Sequence, residues 1–173
     1  MAETSGQYGP DWQMPPPMLG AHGAGPAVII RSERAVVATR QVLVFPTGIV
    51  IEVEAHGRDT WQDQYGIEYT DGLRFAVRFA DGRTVRQNDS AGLRDGRGPM
   101  LHAFSTQSSG GGRNNSEDIQ LSLWLWPLPP SGPVTLSCSW PRAGITDAGL
   151  VLDGDRLRAA AALAEPFWSS DQG

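Results

Sequence analysis

Histidine and acidic side chains are the residues of this chain best suited to acid–base or metal chemistry. Glu52, Glu54 and His56 alternate along one predicted strand, so their side chains share a face and could together ligate a divalent ion. The other histidines, His22 and His102, stand in no spacing that is typical of a metal site. A solvated polar strand face explains the same Glu-Glu-His pattern more simply. We therefore predict no metal ligand, no bound cofactor and no catalytic histidine.

Motifs for nucleophilic or phosphate chemistry do not occur in the sequence. It contains no Gly-x-Ser-x-Gly elbow, no Walker loop and no Rossmann fingerprint. The run from Gly110 to Arg113 offers backbone amides and a guanidinium to an anion, but a predicted strand follows it, and a hairpin loop is the simpler interpretation. Cys138, the single cysteine, falls on an apolar strand face, where a free cysteine is typically inert and buried. The expectation is that the protein is not an enzyme.

Aromatic residues give the strongest functional signal. The chain has six tryptophans, and tryptophan is enriched at the energetic centres of protein interfaces. Trp124 and Trp126 lie opposite the leucine face of their strand, so either a second layer buries them or they form an exposed patch. The candidate interaction surface consists of Trp12, Met14, Met18, Trp61, Trp124, Trp126, Pro129 and Trp168.

Composition limits the class of protein and its partners. A chain of 173 residues suits one domain, and its 21 glycines and 13 prolines favour an all-β fold with many turns. The net charge is −5 and the 14 basic residues, all arginine, are scattered along the sequence, which argues against a nucleic-acid partner. Neither a secretory signal nor a run long enough to span a membrane is present, so we expect a cytoplasmic protein without membrane insertion.

The elements that must position these residues are mainly strands. Period-two alternation and turn residues predict about eight short strands between residues 27 and 152, with Asp81-Gly82 as a hairpin turn. Asp155 is the predicted N-cap of the only helix, 155–165, which Pro166 ends. This pattern predicts an all-β fold, an antiparallel two-sheet β-sandwich of immunoglobulin-like or jelly-roll shape with one short C-terminal helix; a distorted barrel is the alternative.

The segment 117–140 carries the clearest strand pattern. Ile119, Leu121, Leu123 and Leu125 share one face of its first half, and Val134, Leu136, Cys138 and Trp140 share one face of its second half. A Pro- and Gly-rich connection separates the halves, which predicts a central β-hairpin. The predicted organisation is a disordered or docking tail over 1–26, a β-sandwich domain over 27–168 with a flexible loop at 108–116, and a tail over 169–173.

Four stretches resemble a group of short hypothetical proteins from high-GC Gram-positive bacteria. They are Phe45-Pro46-Thr47-Gly48, FAVRFADG from Phe75, WLWPLPP from Trp124, and GPVTLSCSWPRAG from Gly132, and the resemblance covers residues 27–168. WPLPP is the most specific part of it. The resemblance implies a single bacterial β domain and, because that group has no assigned activity, supplies no catalytic residue.

Two functional hypotheses follow. The first is a non-catalytic module for protein–protein interaction or assembly, which presents a Trp- and Pro-rich surface and an N-terminal arm to another protein or to a second copy of itself. The alternative is a β-sandwich domain that binds a small ligand or carbohydrate through the loop between Trp61 and Tyr69 and through the tryptophans.

Overall fold

Antiparallel strands make up most of the computed structural model, which describes residues 12–60, 72–89, 97–113 and 115–168. The strands in chain order are β1 (Met18–Leu19), β2 (Ala21–Ala24), β3 (Ala27–Arg31), β4 (Ala35–Phe45), β5 (Gly48–Gly57), β6 (Arg74–Arg78), β7 (Thr84–Arg86), β8 (Met100–Gly111), β9 (Ser116–Trp126), β10 (Pro133–Trp140), β11 (Ile145–Asp153) and β12 (Glu165–Pro166). A single-turn 3-10 helix spans Pro141–Ala143, and the α-helix α1 spans Gly154–Ala161. The predicted all-β, sandwich-like fold with one short helix is confirmed.

The larger sheet has the strand order β2-β4-β5-β9-β8, and β3 pairs with the other half of β4. The smaller sheet has the order β11-β10-β6-β7. Alternate residues of both sheets point into one shared apolar core, which includes the inward side chains of β9 that the sequence predicts. Leu123 and Leu125 from the larger sheet and Leu136 and Trp140 from the smaller one are fully buried there. Their burial follows from the side-chain period of two, which places every second residue on the core face.

The predicted hairpin between β9 and β10 is wrong. β9 pairs with β5 and β8, whereas β10 pairs with β6 and β11, so the two strands belong to different sheets. The connection over 127–132 therefore crosses between the layers of the sandwich. The alternation in β9 and β10 reports which face of each strand is buried, but it contains no information about which strand lies beside it.

The flexible loop predicted at 108–116 is also mostly strand. β8 continues to Gly111, and its register with β9 runs without a break from Ser105–Ser122 to Gly111–Ser116. The turn itself is short, and Gly112 and Asn115 adopt positive φ angles of 81° and 43° there. The ladder of backbone hydrogen bonds to β9 orders a segment whose Ser- and Gly-rich composition is typical of a flexible loop.

The ordered sheet begins before Ala27, the predicted start of the domain. β2, which lies within the predicted tail of 1–26, pairs with β4 in the larger sheet. The helix is Gly154–Ala161 rather than 155–165, and its N-cap is Asp153 rather than Asp155, because the Asp153 carboxylate accepts hydrogen bonds from the backbone N–H groups of Asp155 and Arg156. The predicted tail of 169–173 lies outside the described residues.

Candidate interaction surface

The two ends of the described chain meet in a separate two-stranded ribbon. β1 and β12 pair antiparallel, with Met18 opposite Pro166 and Leu19 opposite Glu165. β12 follows α1 closely, and α1 itself packs on β2 and β4. We call residues 12–20 and 162–168 together the terminal ribbon.

The inner side of the terminal ribbon covers the outer face of the larger sheet. Met18 packs against a second apolar cluster built on Phe45, Val50 and Trp124, to which Leu43, Phe104 and Trp126 also contribute. Phe45 and Trp124 are buried, and their rings meet edge to face. Gly20 lies so close to Phe45 that a Cβ atom at Gly20 would come within 2.7 Å of the Phe45 ring. The N-terminal strand of the terminal ribbon therefore packs closely against the larger sheet at Gly20.

The terminal ribbon also exposes large apolar side chains. Among the described residues, seven large hydrophobic side chains are exposed, and five of them belong to the ribbon: Met14, Leu19, Leu163, Phe167 and Trp168. Trp168 is 86% exposed and Leu163 is 71% exposed. The two others, Val28 and Val151, lie on β3 and β11. Soluble monomers rarely concentrate exposed apolar area in one region unless that region makes contact with something.

The terminal ribbon is almost free of charge. Glu165 is the only ionisable side chain in 12–20 and 162–168. The core of a protein interface is typically depleted of charged residues and enriched in aromatic residues and methionine. The ribbon has this composition.

The structure separates the predicted interaction residues into three groups. Met14 and Trp168 are exposed; Trp12, Met18 and Trp126 are half-buried. Trp124 and Pro129 are buried, so neither side chain lies at the surface. The structure therefore decides between the two alternatives for Trp124 in favour of a second buried layer. Trp61 lies outside the described residues.

Leu19, Leu163 and Phe167 are also exposed, although they are not among the predicted interaction residues. Leu163 and Phe167 fall within or next to the predicted helix, where apolar residues are expected to face the core. The helix instead ends at Ala161, and both side chains are left exposed beyond it. At helical spacing Leu163 lies off the face that Leu157, Ala160 and Ala161 define, whereas Phe167, seven residues after Ala160, falls beside that face, so the spacing does not signal its exposure.

The Glu-Glu-His row on β5 is engaged by neighbouring side chains. Gln41 donates a hydrogen bond to Glu52 at 2.8 Å, and Arg40 lies 3.9 Å from Glu54. His56 Nδ1 lies 2.5 Å from a carboxylate oxygen of Asp118 on β9. Within the described ranges no group of three His, Cys, Asp or Glu side chains is arranged to hold a metal ion.

His56 and Asp118 border an open groove of about 420 Å³ at one end of the larger sheet. Arg31, Arg34 and Arg58 also line this groove. Both members of the His56–Asp118 pair are more than half exposed. The groove therefore lacks the water-excluding enclosure on which strong electrostatic catalysis depends. His22 and His102 lie apart from it, on β2 and β8.

Comparison with models of known protein families gives no match, and comparison with curated proteins gives no significant match. In the described part of the chain, no helix has both the length and the apolar character needed to cross a bilayer.

Proposed function

We propose that this protein is a non-catalytic interaction or assembly module and that the terminal ribbon is its contact surface. The observation that carries the proposal is the concentration of exposed Met14, Leu19, Leu163, Phe167 and Trp168 on one ribbon. Burying a side chain of this size contributes roughly 1.5–3 kcal/mol, so a few of them supply the centre of an interface.

A second copy of the chain is the partner whose chemistry best fits this surface. In a symmetric dimer each residue of the patch faces the same patch on the partner, and charged residues then meet like charges. Because Glu165 is the only ionisable residue of the ribbon, such a contact brings together very little like charge. The aromatic side chains of Phe167 and Trp168 then pack against their equivalents.

The test is light scattering coupled to size-exclusion chromatography over a wide range of protein concentration. We expect the wild type to self-associate and Trp168→Ala, combined with Phe167→Ala, to be monomeric. Val151→Ala is the matched control, because Val151 is 63% exposed but lies on β11 rather than on the ribbon. Substitution is a better test than deletion of residues 1–26, because such a deletion also removes β2 from the larger sheet.

A wild-type protein that stays monomeric at every concentration would refute self-assembly. In that case the interaction proposal depends on a different protein, and a pull-down from lysate that Trp168→Ala abolishes and Val151→Ala preserves would support it. If the protein neither self-associates nor captures a partner in a Trp168-dependent way, the interaction proposal is refuted.

The alternative, ligand or carbohydrate binding through the loop between Trp61 and Tyr69, remains a prediction because that loop lies outside the described residues. A saturable change in tryptophan fluorescence during a ligand screen, abolished by Trp61→Phe, would favour it.

A further inference from the structure

The outer face of the smaller sheet carries a polar trough that the interaction proposal does not use. One groove of about 360 Å³ and a second of about 380 Å³ lie on this face, and Ser137 and Asp147 line both of them. The two grooves therefore adjoin across the middle of the sheet. Their lining combines arginines with hydroxyl-bearing side chains: Arg74, Arg86, Ser139 and Thr146 in the first, and Arg78, Thr84 and Thr135 in the second.

The floor of the trough is a row of small residues. Ala76 on β6 pairs with Ser137 on β10, and Ser137 pairs in turn with Gly149 on β11. Ala76 and Ser137 face away from the core, because their neighbours Phe75, Val77 and Cys138 are buried, and Gly149 lies beside Ser137 in the register of the sheet. Side chains this short leave a depression between the longer side chains on either side.

Three arginines surround Ala76 on this face. Arg86 is its cross-strand partner on β7. Arg74 and Arg78 lie two residues before and after it on β6, on the same side of the sheet. Cross-strand partners have Cβ atoms about 5 Å apart and same-face neighbours on one strand are about 7 Å apart. Arginine side chains are long enough for Arg78 and Arg86 to approach one point above Ala76.

The local charge contrasts with that of the whole protein. Among the described residues that line the trough, Arg78 and Arg86 are positive and Asp147 is negative, which gives a formal charge of +1; Arg74, also positive, already has an interaction partner. The chain as a whole carries −5. Like charges on adjacent strands repel one another, and a bound anion of two negative charges relieves that repulsion.

We propose that this trough is a binding site for a doubly charged oxyanion group, a phosphate or a sulfate, carried by a small molecule. Planar guanidinium groups match the oxygen atoms of such groups with paired hydrogen bonds. The hydroxyl group of Ser139 lines the same groove and adds a neutral donor, whereas the Ser137 hydroxyl already donates to the backbone carbonyl of Ala76 at 3.3 Å. The combined length of the two grooves leaves room for the rest of the molecule.

The test measures the binding of inorganic phosphate, sulfate and acetate to the full chain by isothermal titration calorimetry. We expect saturable binding of phosphate or sulfate, and acetate binding at least about tenfold weaker because it carries a single charge. Whichever dianion binds more tightly identifies the group on the natural ligand. Arg86→Gln and Arg78→Gln are each expected to weaken binding about tenfold or more, since a hydrogen bond to a charged group is lost.

Arg113→Gln is the matched control, because it makes the same change in charge in the β8–β9 turn of the other sheet and should leave the affinity unchanged. Arg78→Lys separates charge from geometry: it retains the positive charge, loses the paired hydrogen bonds and should bind with intermediate affinity. Circular dichroism verifies that each variant is folded. Absence of saturable phosphate and sulfate binding to the wild type would overturn the proposal. Dianion binding of unchanged affinity in both glutamine variants would also overturn it. The same holds if Arg113→Gln weakens the binding equally, or if acetate binds as tightly as the dianions.

Discussion

Phe45 and Trp124 meet edge to face on the outer side of the larger sheet, with ring centroids 5.9 Å apart and ring planes at 78°. This is a favoured geometry for aromatic pairs. It occurs on the side of β9 opposite the main core, where Trp124 is 0% exposed. The larger sheet is therefore buried on both faces around Trp124.

Trp124→Ala is expected to reduce the free energy of unfolding by about 3–5 kcal/mol, because it leaves a large cavity beneath the terminal ribbon. Denaturant unfolding followed by circular dichroism measures the loss. Trp168→Ala serves as the control, since Trp168 is 86% exposed and its removal should change stability by no more than about 0.5 kcal/mol. Equal losses in the two variants would contradict the burial of Trp124.

Gly48→Ala tests the close packing at the start of β5. A Cβ atom at Gly48 would approach the carbonyl oxygen of Leu125, and it would lie 2.7 Å from the ring of Trp124. We expect a destabilisation of about 1–3 kcal/mol from this overpacking. Gly25→Ala is the control because a Cβ atom there meets nothing within 4 Å. Thermal unfolding of both variants should show a lowered midpoint for Gly48→Ala alone.

Glu117 and Arg142 connect the two sheets through a shielded ion pair. Their charged groups lie 3.7 Å apart, and their side chains are only 7% and 16% exposed. Glu117→Gln removes the negative charge of this shielded contact, which we expect to cost about 1.5–3 kcal/mol.

Asp118→Asn is the control for that variant. Asp118 is the next residue in the chain, but its pair with His56 is exposed, so its loss should cost at most about 1 kcal/mol. Urea titrations give the unfolding midpoints of both variants. Similar midpoints would show that the Glu117–Arg142 pair contributes little to stability.

Asp153→Ala is expected to destabilise the protein by about 1 kcal/mol, because the carboxylate caps the first backbone N–H groups of α1. Asp155→Ala removes an acidic residue from the first turn without removing the cap, and should have the smaller effect. If chemical denaturation gives the larger loss for Asp155→Ala, the assignment of the cap is wrong.

Cys138 should resist thiol reagents in the native protein at neutral pH. Burial, with a contribution from the negative charge of Asp147, raises the pKa of the Cys138 thiol to about 11, so almost no thiolate is present. The thiol of an unfolded chain titrates near its ordinary value of 9.0. Unfolding therefore releases a proton between pH 9 and 11, and the stability due to this group is present below about pH 9 and declines as the pH rises.

The rate of reaction with a chromogenic disulfide at pH 7.5, measured with and without denaturant, tests this prediction. We expect slow labelling of the native state and rapid labelling of the unfolded state. Rapid native labelling would show that Cys138 is accessible. Cys138→Ser, which cannot react, provides the blank.

Residue type alone predicted only part of the candidate interaction surface. Exposed Met14 and Trp168 belong to the predicted set, but so do Trp124 and Pro129, which are buried. Tryptophan is enriched both in cores and at interfaces because its ring buries a large area in either place. Which of the two applies depends on whether other segments cover the ring. Trp124 belongs to a buried cluster to which Met18 of β1, far away in sequence, contributes.

The sequence by itself determined the positions of most strands in the described ranges, the inward face of β9 and the turn between β6 and β7. These features depend on local alternation and on turn residues, which act over a few positions. Only the tertiary structure decided that β9 and β10 lie in different sheets and that Arg74, Arg78 and Arg86 surround Ala76. Strand partners and shared faces depend on contacts between distant segments, where many pairings satisfy the same local pattern and packing of the whole core selects one of them.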